Sequence, residues 1–539
     1  MEENSKRSWR VAPEPVPDAE ITQTLEADVA IVGFGYAGLA ACRTLAEAGK
    51  SVIVAEAMPR DKWWTVGHDL GHINSQWQKS HGIGEVDVLE FVNNWQMQTQ
   101  NKSNVFFTME FAKYSGETVD WYLAPVPDEI KNRSRFTYFP ENEYTIHQLN
   151  NGYRYYNGTA QWWEDNQNGI GMRNNGKGME LKNLSWANRD YLEANYPNAK
   201  VLYATTACYL IQDSSPESGK PARVQGFVAK QADGTFIKVL AKTGVILAGG
   251  GFGANREMCE DLLPHIARTF APKEKFLGMM DRNGSAIQMG VWAGGRLETD
   301  IGSMNFDSMT IPDYLPGPLW VNEEGKRFQN EGFAGPELNG FYLARGQRGK
   351  VISIYDSTYP TQILRGFPGH QAFDYSSPVE VSVMMQNFEE AKNHESASTK
   401  KGFYCADTLE ELADAIGFGP DAKANFLTTI NRYNDLCQDG MDMDFGKDPR
   451  FMNPVLEGPF YAHVTDPHLG FALATVGGFV TTNEQQVLNE AYQPIPGLYA
   501  SGNTCGMRFG AAYVTPMPGV SIGMALTLGR QLGKYLAKL

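Results

Sequence analysis

Gly33, Gly35 and Gly38 follow the apolar run Asp28-Val-Ala-Ile-Val32, and a carboxylate, Glu56, closes the next apolar run, Ser51 to Ala55. In this setting each residue has a physical task. Gly33 permits a tight turn, Gly35 lets the backbone approach a pyrophosphate, and Gly38 lets a helix pack closely on a strand. The helix N-terminus then faces phosphate charge. Glu56 can accept hydrogen bonds from both ribose hydroxyls and would repel a 2′-phosphate, which favours FAD or NAD over NADP. No comparable pattern supports metal chemistry. Nine histidines include no HExxH pair, and Cys42, Cys208, Cys259, Cys405, Cys437 and Cys505 show no CxxC spacing. A zinc cage, an iron–sulfur centre, a c-type haem and a disulfide framework are therefore not expected, and the cysteines read as small reduced core residues.

The elements that must hold these residues are legible around them. A buried strand over Asp28 to Val32, a helix to about Ala48 and a second strand to Ala55 make a strand–helix–strand unit of about 30 residues. Val201 to Asp213 and Ala222 to Lys238 read as a strand meander with a polar turn between them. Gly244-Val-Ile-Leu-Ala-Gly249-Gly250-Gly-Phe-Gly253-Ala-Asn255 is a second buried strand running into a glycine loop, and Asp281 to Gly295 a turn and a helix. Leu498 to Asn503 is a strand ending in a turn, and Gly519 to Gly523 opens a helix that continues to the C-terminus. The fold class is α/β. Expected units are a polar N-terminal extension (1–26), a nucleotide-binding part (27–301), an inserted domain (302–466) and a return to the first domain (467–539). Between 93 and 198, Asn, Gly, Tyr and Trp crowd together, as in Trp162-Trp163, and long loops are expected there.

At 539 residues the chain exceeds one hydrophobic core. A net charge of -15 opposes phosphate neutralisation, so nucleic acid is not an expected partner. No run of about 18 apolar residues is present, so no membrane span is expected. Lys6, Arg7 and Arg10 are not followed by the apolar run of a secretory signal, which makes a cytoplasmic location the plain expectation; a chain trimmed of an export signal would read the same.

Four segments together resemble the flavoprotein family that includes soluble fumarate reductase, succinate dehydrogenase flavoprotein, urocanate reductase and 3-oxosteroid 1-dehydrogenase. They are Asp28 to Glu56, Gly244 to Asn255, Trp320-Val-Asn-Glu-Glu-Gly-Lys-Arg-Phe328, and Gly497 through Gly523. The resemblance implies a Rossmann-like FAD-binding domain split in sequence and an inserted α+β capping domain that holds substrate against the flavin. It also implies hydride transfer at flavin N5 across an activated carbon–carbon bond. By the same resemblance Gly33, Gly35, Tyr36, Ala37, Gly38, Glu56 and Ala57 would hold the ADP half. Thr65, Val66, Gly71, His72, Ile73 and Asn74 would line the flavin ring, and Ala207, Ala248, Gly249 and Gly250 would complete the cofactor wall. Gly502 and Asn503 would reach the ribityl chain, and Gly519, Ser521 and Ile522 the N1/O2 edge. Members with covalent flavin carry a histidine immediately before the threonine matching Thr65; Trp64 stands there, so FAD is expected to be noncovalent.

Departures from the family bear on substrate. Fumarate and urocanate reductases place an arginine after the Gly-Lys-Arg-Phe block, whereas this chain reads Asn330-Glu-Gly-Phe-Ala-Gly-Pro336. Leu473 to Gly478 and Phe509 to Tyr513 likewise lack the histidines and arginine that clamp a dicarboxylate. Thr515 to Gly523 is more similar to the 3-oxosteroid 1-dehydrogenase ending, in which a tyrosine and a glycine N–H polarise a ketone. Gly519 matches that glycine; Thr515 occupies the tyrosine position, and Tyr513 is the nearest phenol. Tyr513, Arg508 and Gly519 are therefore the catalytic candidates for an ene-reductase or enone dehydrogenase acting on a neutral or aromatic small molecule. An alternative is a carboxylate acceptor served by Arg345, Arg348 or Arg508. Another is a flavoprotein electron-transfer subunit completed by a partner, and every version needs an external electron donor or acceptor.

Overall fold

The computed structural model describes residues 7–136, 156–162, 180–213, 220–264, 281–299, 301, 306–307, 318–331, 351–362, 388–392, 402–464, 471–472, 474–475, 477–510 and 516–539. Its centre is a mixed sheet whose parallel strands are β1 (Ile21–Val32), β2 (Val52–Ala55), β3 (Ala199–Leu202), β4 (Phe236–Leu247) and β5 (Pro494–Ala500). They lie in the order β5-β4-β1-β2-β3, with Gln486–Leu488 antiparallel on the β5 edge. The hairpin Thr206–Gln212 and Val224–Lys230 pairs antiparallel onto the first half of β4. Burial follows this division. The first half of β4 alternates between covered and partly exposed residues, while Gly244 to Leu247 is buried on both faces, as parallel strands between two helical layers must be.

Helix α1 (Tyr36–Glu47) and the C-terminal helix α2 (Val520–Leu536) cover one face and pack closely on each other. The close approach needs small residues: an added Cβ at Gly529 would lie 2.5 Å from the Ala37 carbonyl oxygen. The reading of two sequence-distant parts forming one α/β domain thus holds in the sheet itself, because β5 arrives more than 240 residues after β4 and pairs with it in parallel.

Two expectations change. Strand β1 starts at Ile21, not Asp28, since Ile21 to Ala27 pairs with Phe236 to Ala241, the first half of β4. The extension before it is docked, with Trp9 buried, its indole donating to Asp261 (3.1 Å) and its carbonyl accepting from Trp292 (3.0 Å). The expected long loops of 93–198 are, where described, largely helical: Val88–Gln98, Val105–Leu123 and Leu181–Asn195. Asp87 and Asn104 cap the first two, and Phe107, Phe111, Ser115, Val119 and Tyr122 form the buried stripe of the second. Trp163 and Tyr153 to Tyr155 lie outside the described residues.

The inserted α+β unit is a four-stranded antiparallel sheet in the order Leu319–Val321, Ile352–Tyr355, Phe460–Val464, Phe403–Ala406. Helices Leu409–Ile416 and Pro420–Asp439 cover it, the first begun by a capping box between Thr408 and Glu411. The Gly-Lys-Arg-Phe block gives this unit a buried ionic cluster. Arg327 pairs with Glu331 at 2.8 Å and with Asp442 at 2.7 Å, and Lys447 approaches Glu331 at 3.4 Å. Burial opposes ionisation of Asp442, but hydrogen bonds from Arg327 and backbone N–H groups prevail and hold its carboxyl at about 2.

Breaking a buried pair from one side strands its partners. Arg327→Met should therefore cost about 3–5 kcal/mol, read as a lowered urea midpoint. The share carried by Asp442 is present above the unfolded carboxylate range near about 4 and is lost as pH falls toward the depressed folded value. The gap between wild type and Arg327→Met should accordingly narrow in acid.

Candidate functional site

All five parallel strands end at one level. Ala500 pairs with Leu247, Leu247 with Val32, Val32 with Ala55, and Ala55 with Leu202. Their hydrogen bonding carries one residue further, Ser501 N–H donating to Leu247, Ala248 to Val32 and Gly33 to Ala55. After this line every chain must turn, and β4 and β1 connect to opposite sides of the sheet, which opens a crevice between them. A cavity of about 580 Å³ occupies it, lined by residues that immediately follow β1, β2, β4 and β5.

The first turn builds one wall. Gly33 has φ +95°, in the region that favours glycine, and an added Cβ would lie 2.6 Å from the Ala248 carbonyl oxygen. At Gly38 an added Cβ would collide with the Gly33 carbonyl oxygen, so this glycine packs rather than lines. Gly35 is different: nothing lies within 4 Å of an added Cβ, and the residue faces the cavity. That open cradle precedes α1, whose first N–H groups have no side-chain cap. Tyr36 and Ala37 line the same wall, the Tyr36 hydroxyl donating to the Val66 carbonyl (2.8 Å). Glu56 and Ala57 line it after β2; Glu56 is fixed by the N–H groups of Phe34 (2.9 Å) and Met58 (2.8 Å). Its carboxylate keeps lone pairs for hydroxyl donors.

Ala207, Ala248, Gly249, Gly250, Gly502, Asn503, Gly519, Ser521 and Ile522 all line the cavity as well. Gly519 has φ +72° and precedes α2, a second helix start without a side-chain cap. An added Cβ there would sit 2.6 Å from the Gly71 nitrogen and the Asp69 carbonyl, which locks the helix start against the 65–75 loop. Two uncapped helix N-termini thus meet one cavity, the arrangement that suits phosphate and anionic ring atoms. These features fit a dinucleotide.

Other candidates sit behind the wall. Thr65 shares a hydrogen bond with Ser185 (2.5 Å), and Gly71 donates to the Gly519 carbonyl (3.0 Å). His72 is buried against the Leu70 carbonyl (2.8 Å) and Ser75 Oγ (2.9 Å), and burial lowers its pKa to about 4. Ile73 belongs to the core, and the Asn74 side chain is taken by the Val86 backbone. Arg508 is fully buried and donates to the Cys505 carbonyl (3.1 Å) and Asn503 Oδ1 (2.5 Å). It orients Asn503 rather than lining the cavity. Tyr513, Thr515, Arg345 and Arg348 lie outside the described residues.

Four charged or polar residues on the lining were not among the named candidates, His68 and Asp69 within the 65–75 loop expected at the flavin ring, and Asp281 and Arg282 outside every expected cofactor segment. His68 Nε2 meets Asp69 Oδ2 at 3.0 Å, and Asp69 Oδ1 accepts from Gln161 (2.6 Å). Asp281 is buried and accepts from Gly253 N–H (2.8 Å), Thr475 N–H (2.7 Å) and Thr475 Oγ1 (2.8 Å); burial nevertheless pushes its pKa up. Arg282 lines the cavity beside Gly250, within electrostatic reach of Tyr36 at the start of α1.

The profile of the family described as "FAD binding domain" matches residues 28–65 and 188–522. Over its whole length the chain is similar to vinyl phenol reductase of Lactiplantibacillus plantarum, at 26% identity over 95% of this chain and 96% of that one. It is similar to urocanate reductase of Eggerthella lenta at 26% identity, over 98% of this chain and 78% of the relative. Among solved structures, 3-ketosteroid-delta4-(5alpha)-dehydrogenase from Rhodococcus jostii RHA1 superposes with a TM-score of 0.65 at 21% identity, covering 97% and 100% of the two chains. That likeness concerns the fold.

The contrast between two glycines gives a test. Gly35→Val adds side chain only to open space, so the FAD-free protein should keep its stability within about 0.5 kcal/mol. Retention of added FAD should fall by at least roughly tenfold, about 1.4 kcal/mol of binding. Gly38→Ala should instead lower stability itself, by about 1–3 kcal/mol from overpacking. Thermal melts with and without FAD separate the two effects.

Proposed function

The chain belongs to the FAD-binding domain family, and from that premise we propose that it binds FAD noncovalently and uses it on the activated carbon–carbon double bond of a largely neutral, aromatic or enone-like small molecule. It is an FAD-dependent oxidoreductase of the kind that acts on C=C or CH–CH groups. The observation carrying the finer reading is the cavity at the carboxyl ends of β1, β2, β4 and β5, where two uncapped helix starts and the Glu56 carboxylate converge.

FAD, when bound, supplies hydride exchange with a carbon centre at its flavin ring. The chain's own residues bind and orient. Gly35 and the α1 start would receive pyrophosphate, Arg282 would add a cation at that end, and Glu56 would accept from ribose hydroxyls. Asn503, held by Arg508, would meet the ribityl chain. The Gly519 to Ile522 helix start would favour negative charge on the ring edge. Trp64 lines the cavity where covalent members carry histidine, and it offers no nucleophile, which supports noncovalent binding.

A neutral substrate is supported by where the guanidinium groups go. Among the described residues, Arg508, the sequence candidate for an anionic substrate group, donates to Asn503 and the Cys505 carbonyl behind the wall. Arg282 lines the cavity beside Gly250, where it would meet phosphate; Arg345 and Arg348 lie outside the described residues. The full-length likeness to a vinyl phenol reductase points the same way. Residues of the inserted unit would close over the substrate, and the electrons would come from an external donor.

Acid precipitation should release the yellow cofactor into the supernatant; colour remaining in the pellet would overturn the noncovalent reading. After anaerobic reduction with dithionite, a 4-hydroxystyrene or cyclic enone should reoxidise the protein at least about tenfold faster than fumarate or urocanate, a transition-state preference of about 1.4 kcal/mol. The reverse ranking would establish the carboxylate acceptor instead.

A further inference from the structure

Thr475 is fully buried at the point where the chain returns from the inserted unit, and its neighbour Ala474 lines the cavity. It ties two other chain segments together. Its hydroxyl accepts from Phe252 N–H (2.9 Å), in the glycine loop after β4, and donates to Asp281 Oδ2 (2.8 Å), in the turn before the helix Ser285–Trp292. Its own N–H donates to the same oxygen (2.7 Å), which also accepts from Gly253 N–H (2.8 Å), while Asp281 Oδ1 accepts from Arg282 N–H (2.8 Å). Backbone bonds from Gly284 to Gly251 and from Ala254 to Arg282, both 3.0 Å, extend the junction. There is no slack in it: an added Cβ at Gly251 would collide with the Thr475 hydroxyl and both Asp281 oxygens.

Four charge-assisted donors on one buried carboxylate hold the segments that carry them, and what those segments present is the cavity wall. The Arg282 side chain passes Gly250 so closely that an added Cβ there would sit 2.8 Å from Arg282 Cγ, and its charge acts on Tyr36, the first residue of α1. Among the described residues the Arg282 guanidinium has no ion-pair or hydrogen-bond partner. The adjacent Asp281 is engaged by backbone N–H groups and Thr475 instead. A cation and the uncapped start of α1 therefore share one wall, an arrangement that an anion between them balances.

We infer that Thr475 is a positioning residue for the cofactor's pyrophosphate: through Asp281 it fixes Arg282 and Gly250, and so sets how tightly the ADP half is held. The inference rests on the cavity holding FAD. Thr475 is not among the cavity-lining residues, and it acts through those two, which are. Without its hydroxyl, Phe252 N–H loses its acceptor and Asp281 one of its donors, both in a buried place, and the turn that presents Arg282 loses a tie.

The test is a double-mutant cycle read by equilibrium titration of the FAD-free protein. Thr475→Val keeps the shape and removes the hydroxyl, and should weaken FAD and ADP binding alike by roughly tenfold. Thr475→Ser keeps the hydroxyl and should restore affinity to within about threefold of wild type. Arg282→Gln alone should cost a factor similar to Thr475→Val, and the two together no more than about twofold beyond either, since both remove one interaction. Losses that multiply in the double variant, or wild-type FAD affinity in Thr475→Val, overturn the inference while FAD binding stands. If Thr475→Val does not fold, Asp281→Asn takes its place in the cycle with Arg282→Gln, and independent losses there overturn the inference equally. A wild-type protein that binds ADP or FAD at no concentration would overturn the earlier reading instead.

Discussion

The site depends on a register. Ala500, Leu247, Val32, Ala55 and Leu202 stand side by side at the ends of parallel strands, so the backbone of each chain leaves the sheet at the same height. Beyond that line there is no ladder to satisfy backbone N–H groups, and helices α1 and α2 begin there without side-chain caps. An anion at this point meets donors that folding has already oriented. The cost of assembling the donors is borne by the apolar strands beneath them, and a one-residue slip of any strand would remove its loop from the site.

The inserted unit has an apolar core of its own and the Arg327, Glu331, Asp442 and Lys447 cluster, while Trp320, Phe328 and Val351 join the core of the central domain. Short strands Phe306–Asp307 and Phe471–Ala472 pair where the chain leaves and re-enters the central domain. Next to the return crossing, Thr475 binds Asp281 on the cavity wall, so a cofactor-lining carboxylate and the base of the insertion share hydrogen bonds.

How much could be read from sequence followed the range of the interactions. Gly33 to Glu56 is a local unit, with turn, helix start and carboxylate within one strand–helix–strand segment, and its turn, helix and second strand were placed to within a few residues, while the first strand began seven residues earlier than expected. The return of β5 to β4 was legible because both strands end in a short apolar run followed closely by glycine. The helix Val105–Leu123 carried a regular stripe through Phe107, Phe111, Ser115 and Val119, but interspersed Thr, Ser and Gly masked it, and loops were expected. Within the 65–75 loop His72 was named and His68 was not, although of the two it is His68 that lines the cavity; its partner Asp69 is held by Gln161, 92 residues away in sequence. Arg508 was read as a ligand group; burial and two hydrogen bonds make it a support for Asn503.

Titration of the FAD-free protein with FAD, followed by flavin fluorescence and absorbance, tests the convergence of the glycine turns most directly. The expected result is saturable binding of one FAD per chain, weakened by Glu56→Gln and displaced little by NADP, whose 2′-phosphate would face the Glu56 carboxylate. Protein that remains colourless in excess FAD, or that binds NADP in preference, would contradict it.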